Sequence, residues 1–163
     1  MAMSPDKQRK IYAKRQVNKW NTEKRKGYIY MISSPTFKDW VKIGQTQNVD
    51  KRLTGFNSHN PLRDFIVDCF IEDDHVGKAE SYLLYLIYKE CGAACHGEWT
   101  KIRDKDKAVQ IMKNYEDKKI TIEEFKKILE HKKYCYAQAQ GYVFSSWNKL
   151  SEMYQGDNWS ETH

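Results

Sequence analysis

No run of about 18 apolar residues occurs anywhere in the 163-residue sequence, so no helical membrane span is expected. The first residues, MAMSPDKQRK, contain no apolar segment of the kind a secretory leader needs. Cysteine is scarce and scattered (Cys69, Cys91, Cys95, Cys135), which argues against a disulfide framework. A reducing, intracellular setting is expected instead. Internal repeats and low-complexity segments are absent too. What remains is one domain with appendages, or one domain plus a very small second one, long enough to bury a core without disulfides.

Charge is present, and it is unevenly placed. The net charge is +6. Residues 1–26 hold nine Lys or Arg against Asp6 and Glu23, a local surplus of seven, so the rest of the chain is one unit negative. Such a basic arm reads either as an electrostatic footprint for a polyanion or as a solvated leader. Lys10, Lys14, Arg15, Lys19, Arg25 and Lys26 are its candidate nucleic-acid contacts. SPDKQRKIYAKRQVNKW predicts a helix, with Ser4 as cap, Pro5 in the first turn and Asp6 at the positive end of the dipole. Ala13, Val17 and Trp20 form a narrow apolar stripe that would lie on a partner or on the body.

Residues 27–33 and 40–46 read as two strands joined through SPTFKD into a hairpin. A short helix follows, capped by Asn48, with Val49, Leu53 and Phe56 on one face and Pro61 near its end. DFIVDCFIED (64–73) predicts a third strand with Phe65, Val67, Cys69 and Ile71 on one side. DDHVGKAESYLLYLIYKECG predicts a buried helix, capped by Asp73 or Asp74 and ended by Gly92. GEWTKI (97–102) is a strand-like tail. Beyond residue 104 the texture turns to charged helices: DKDKAVQIMKNY, then TIEEFKKILEHKKYCYAQA with a Thr121/Glu124 capping box. A third short helix in SSWNKLSEMY, capped by Ser145 or Ser146, and a frayed GDNWSETH tail complete the reading. The expected fold is a small α/β (α+β) sandwich, a central three-stranded antiparallel sheet flanked by helices. The expected units are a basic arm (1–26), a central domain (27–103) and a helical extension (104–163).

In this order, YIY (28–30), KIG (42–44), Arg52 eight residues beyond Gly44, Ala79–Glu80 opening a buried helix, and GEW (97–99) resemble the GIY-YIG nuclease superfamily. The closer likeness is to its phage- and virus-associated branch, whose second motif reads K-I-G. The continuation KIGQTQNVDKRL also follows that pattern, and the resemblance covers roughly residues 26–103. It implies a metal-dependent DNA endonuclease of homing or restriction type, with DNA as partner and no membrane. A homodimer or sequential nicking would be needed for a double-strand break.

The resemblance also implies roles. Hydrolysing a phosphodiester needs a positioned water, stabilised phosphoryl charge and help for the leaving oxygen. Tyr30 would orient or deprotonate the water. A free phenol titrates near ~10, and Lys42, which stands where the family usually has a tyrosine, is the cation offered to lower it. Arg52 would take phosphate oxygens with its guanidinium. Glu80 would hold Mg²⁺ or Mn²⁺ as a single hard-oxygen ligand. Tyr28 is a further catalytic candidate, His59 and Gln45 are candidates for phosphate contact, and Glu98 stands where the family often has asparagine. Singly, each of these side chains fits packing or solvation; the ordered set points to one site. The alternative is a non-catalytic nucleic-acid or protein binding module on the same scaffold. A rival cluster, ECGAACH with Cys91, Cys95 and His96, could begin a zinc site completed by His131 or Cys135. It lacks a C-x-x-C pair, and the preferred reading is a set of helix-end cysteines.

Overall fold

The computed structural model of the protein describes residues 2–139; the expected helix in SSWNKLSEMY and the GDNWSETH tail lie outside the described residues. The chain begins with α1 (Pro5–Thr22), whose Ser4 hydroxyl accepts from the Lys7 amide at 3.3 Å, as the Ser-Pro start leads one to expect. The hairpin follows as β1 (Gly27–Ser33) and β2 (Trp40–Thr46), joined through a short 3₁₀ turn at Pro35–Phe37. Next come α2 (Val49–Ser58), β3 (Ile66–Asp73) and α3 (Val76–Cys91). The last described elements are β4 (Gly92–His96), β5 (Trp99–Ile102), α4 (Lys105–Lys113) and α5 (Ile122–Ala139).

The α+β class holds, but the sheet has five strands rather than three, in the order β3-β1-β2-β5-β4 with every pair antiparallel. The addition arises at Gly92, where the helix ends in extended backbone and the chain runs straight into Gly-Ala-Ala-Cys-His without a loop. GAACH is therefore a strand, not a helix end. Its residues are too small and too few to announce a strand by alternation.

The inner face of the sheet carries Ile29 and Met31 from β1 with Val41 and Ile43 from β2. These pack under Val76, Ala79, Leu83 and Ile87 of α3 and against Ala108 and Met112 of α4, so the helix after residue 104 shares the main core. A second apolar cluster joins Ala13, Val17 and Trp20 of α1 to Ile120, Phe125 and Ile128, with Trp20 and Phe125 edge to face at 5.0 Å. Asn21 clamps the same contact: its side chain both donates to the Ile120 carbonyl (3.0 Å) and accepts from the Ile120 amide (2.8 Å). The apolar stripe of α1 thus lies on the body, and its basic residues are left on the surface.

Two local expectations change. α3 is capped at His75, not Asp73 or Asp74; Asp73 instead accepts from the His75 amide at 2.6 Å. In β3, Met31 pairs with Cys69 but Ile32 pairs with Val67, a one-residue slip at Asp68. The bulge reverses the alternation, so Val67 and Phe65 leave the side of Cys69 and Ile71. Phe65 packs instead with Phe37, Phe56 and Trp99 on the outer side.

Removing a ring from the second cluster leaves a cavity between α1 and α5. Phe125→Ala is expected to cost about 3–5 kcal/mol, read as a lower urea unfolding midpoint.

Candidate active site

β5 pairs with β2 only at Trp40, Val41 and Lys42. Beyond the Ile43 amide, which reaches the Glu98 carbonyl at 3.3 Å, the rest of β2 is an open sheet edge. A cleft of about 740 Å³ lies against that edge, walled by α3, by the ends of α1 and α5, and by α2. Tyr30, Lys42, Arg52 and Glu80 all line it, although they come from four different elements.

Tyr30 pairs across the hairpin with Gly44, so both sit on the outer face of the sheet. The phenol reaches the cleft by crossing the β2 backbone at that glycine. A Cβ built on Gly44 would stand 2.7 Å from Tyr30 Cζ and closer still to its hydroxyl. The glycine of KIG is therefore required as a passage for the ring. Tyr30 is buried, and burial raises its titration to about 12; Arg52 pulls it down, while Glu98 and Glu80 push it up.

This reverses the role expected for Lys42. Lys42 does lie on the same face as Gly44, but its ammonium is 2.8 Å from a Glu98 carboxylate oxygen and 5.2 Å from the centre of the Phe56 ring. Its charge is spent on the acid in the β4–β5 turn. Arg52 is the cation that acts on the phenol.

Arg52 is exposed on α2, whose start is fixed by Asn48 accepting from the Lys51 amide at 3.0 Å. One turn further on, Phe56 packs against Tyr30 at 6.3 Å and so ties the helix to the same ring. Glu80 is buried on α3, and one of its oxygens accepts from the Gln45 side-chain amide at 2.6 Å. The Gln45 carbonyl in turn accepts a short bond from Arg25. Burial raises the Glu80 carboxyl, and Glu98 raises it further; Gln45, Lys132 and Lys42 act the other way. A carboxylate beside an open cleft, with a second acid opposing its charge, gains from a nearby divalent cation. The donors present thus fit a hard metal ion.

Tyr28 and His59 are not brought to this cleft. Tyr28 packs edge to face on Phe70 at 5.9 Å, and His59 is the exposed C-cap of α2. Of the basic arm, Lys19 and Arg25 reach the cleft. Lys10, Lys14 and Arg15 are exposed along α1, and Lys26 pairs with Glu72 at 3.3 Å. α5 also contributes His131, Cys135, Tyr136 and Lys132, whose ammonium is 2.9 Å from the Ser81 hydroxyl. Nothing in the local pattern of α5 marks them. Gln45 did leave a signal, because it ends an inward-facing row otherwise made of Val41 and Ile43.

The chain is an α+β module with an open cleft at its sheet edge, and the family it matches is that of nuclease-like or DNA-interacting modules. The T5orf172 domain model matches residues 27–116, and the chain belongs to that nuclease-related family. No curated protein and no solved structure matches the chain.

Gly44→Ala is expected to destabilise the protein by about 1–3 kcal/mol through overpacking against the Tyr30 ring. In a Tyr30→Ala background the same change should cost little; chemical denaturation of the four proteins in a double-mutant cycle measures the difference.

Proposed function

We propose that the protein is a divalent-metal-dependent DNA endonuclease of the GIY-YIG type, cutting phosphodiester bonds by hydrolysis. The observation that carries this reading is the meeting of a phenol, a guanidinium and a buried carboxylate on one open cleft. Packing alone gives no reason for Tyr30 to cross Gly44, or for Gln45 to hold the buried Glu80 carboxylate beside the cleft.

In this reading Arg52 takes the non-bridging oxygens of the scissile phosphate and neutralises the charge that grows on them. Tyr30, held as a neutral phenol by its burial, orients the attacking water with its hydroxyl rather than removing a proton at neutral pH. Gln45 keeps one Glu80 oxygen fixed and leaves the other for the metal. Mg²⁺ or Mn²⁺ held by Glu80 would polarise the phosphoryl group and stabilise the departing oxygen. The Lys42–Glu98 pair sets the far wall and limits the negative charge that the substrate meets.

DNA would approach along α1, where Lys10, Lys14 and Arg15 face solvent and lead towards Lys19 and Arg25 at the cleft. These contacts are to phosphates and carry no sequence information. One such cleft cuts one strand, so a double-strand break calls for two copies of the chain or two successive nicks.

Supercoiled plasmid incubated with the protein should be nicked in Mg²⁺ or Mn²⁺ and left intact in chelator. Glu80→Gln should lower the nicking rate by about 10²-fold or more while DNA affinity is kept. Full activity in that variant, or no nicking by the unmodified protein with either metal, contradicts the reading. In parallel, Lys14→Ala and Arg15→Ala should each reduce the salt slope of DNA binding by about one.

A further inference from the structure

Of the four cysteines, Cys95 and Cys135 come together with a histidine, at a place with no part in the chemistry above. Cys95 is on β4; His131 and Cys135 are one turn apart on α5 and therefore share a face. All three are buried, at 6 %, 2 % and 4 % exposure. Their sulfur and nitrogen atoms lie within 4.8 Å of one another. The Cys135 sulfur is 3.5 Å from His131 Nε2 and 3.7 Å from Nδ1.

Those separations suit a tetrahedral ion. Bonds of about 2.3 Å to sulfur and about 2.0–2.1 Å to nitrogen put a sulfur and a nitrogen ligand about 3.5 Å apart, and two sulfurs about 3.8 Å apart. We propose that Cys95, His131 and Cys135 bind a thiophilic divalent ion, Zn²⁺ in the cell, as three protein ligands with water from the cleft in the fourth position. On binding, the two thiols give their protons to solvent and the histidine binds through a neutral nitrogen. Two thiolates and a dication sum to zero charge, which a buried position tolerates.

The fourth position opens to the cleft because His131 and Cys135 themselves line it. The neighbouring candidates are set aside by the fold. Cys91 belongs to the main core under the sheet, and His96 is exposed. The only other His, Cys or acid cluster of this kind among the described residues, Asp73, His75 and Asp117, already holds the Lys78 ammonium 2.6 Å from Asp117. Ligand type also separates the proposed ion from one at Glu80: soft sulfur and imidazole here, hard oxygen there. The ion would fasten α5 to the outermost strand, beside the bond that the Gly97 amide donates to the Cys135 carbonyl at 2.9 Å.

The test is metal content and cobalt spectroscopy on the full chain, purified under reducing conditions without chelator. One Zn²⁺ per chain is expected by elemental analysis. After exchange for Co²⁺, a thiolate-to-cobalt charge-transfer band and d–d bands of tetrahedral intensity should appear. Cys135→Ser should weaken Co²⁺ binding by at least about 100-fold, and Cys91→Ala should leave the spectrum unchanged. If Cys135→Ser does not fold, Zn²⁺ titration of the metal-free wild type decides the matter, with a rise in melting temperature that saturates at one equivalent. Absence of a thiolate band, an octahedral spectrum, no saturable stabilisation by Zn²⁺, or a Cys95–Cys135 disulfide under reducing conditions overturns the proposal.

Discussion

A tyrosine ring passing over a glycine is the contact on which the cleft depends. Gly44 has no side chain, so Tyr30 can lie across β2 and bring its hydroxyl to the open edge of the sheet. Phe56 of α2 packs on that ring and on Lys42, and so sets where Arg52 stands. Because β5 stops pairing at Lys42, the edge of β2 beyond it faces the cleft rather than another strand. Filling Gly44 would therefore disturb the ring, the helix above it and the cleft together.

Charge in the cleft is arranged around two acids. Glu98 is paired with Lys42, whereas Glu80 is held by a neutral amide and remains buried with its ionised form disfavoured. Cations stand around the rim: Arg52 from α2, Arg25 after α1, and Lys132 from α5. In the proposed reading, an anionic polymer would meet positive charge on approach and an under-compensated carboxylate at the centre, where a divalent cation would join protein to phosphate. The docking of α1 through Trp20 and the Asn21 clamp keeps the basic surface beside that centre.

Much of this was legible in the residues. The hairpin, and the caps at Ser4, Asn48 and Thr121/Glu124, follow local rules, because each depends on side chains three or fewer positions away. The convergence of Tyr30, Lys42, Arg52 and Glu80 followed from the order of the motifs. What failed depended on distant partners. β4 is too short and too small in side chain to show a strand period, and it is a strand because β5 pairs with it. Phe65 changed sides because of a bulge whose register is set by β1. Lys42 sits close enough to Tyr30 in sequence pattern to suggest a pair, but the fold supplies Glu98 as a nearer partner and burial as a stronger influence on the phenol. The cysteine cluster is half visible: the sequence offers Cys91, Cys95 and His96 with His131 or Cys135, and only the packing of α5 on β4 shows which of them meet.

The state of the Tyr30 phenol tests this account most directly. Tyrosine labelled with ¹³C at Cζ, with the Tyr30 signal assigned through Tyr30→Phe, can be titrated by NMR into the alkaline range. The buried passage over Gly44 predicts a signal still protonated at pH 10 and a midpoint of about 12. A midpoint at or below the ordinary value of 10 would show a phenol that is solvated or paired with a cation, and would contradict the cleft as described.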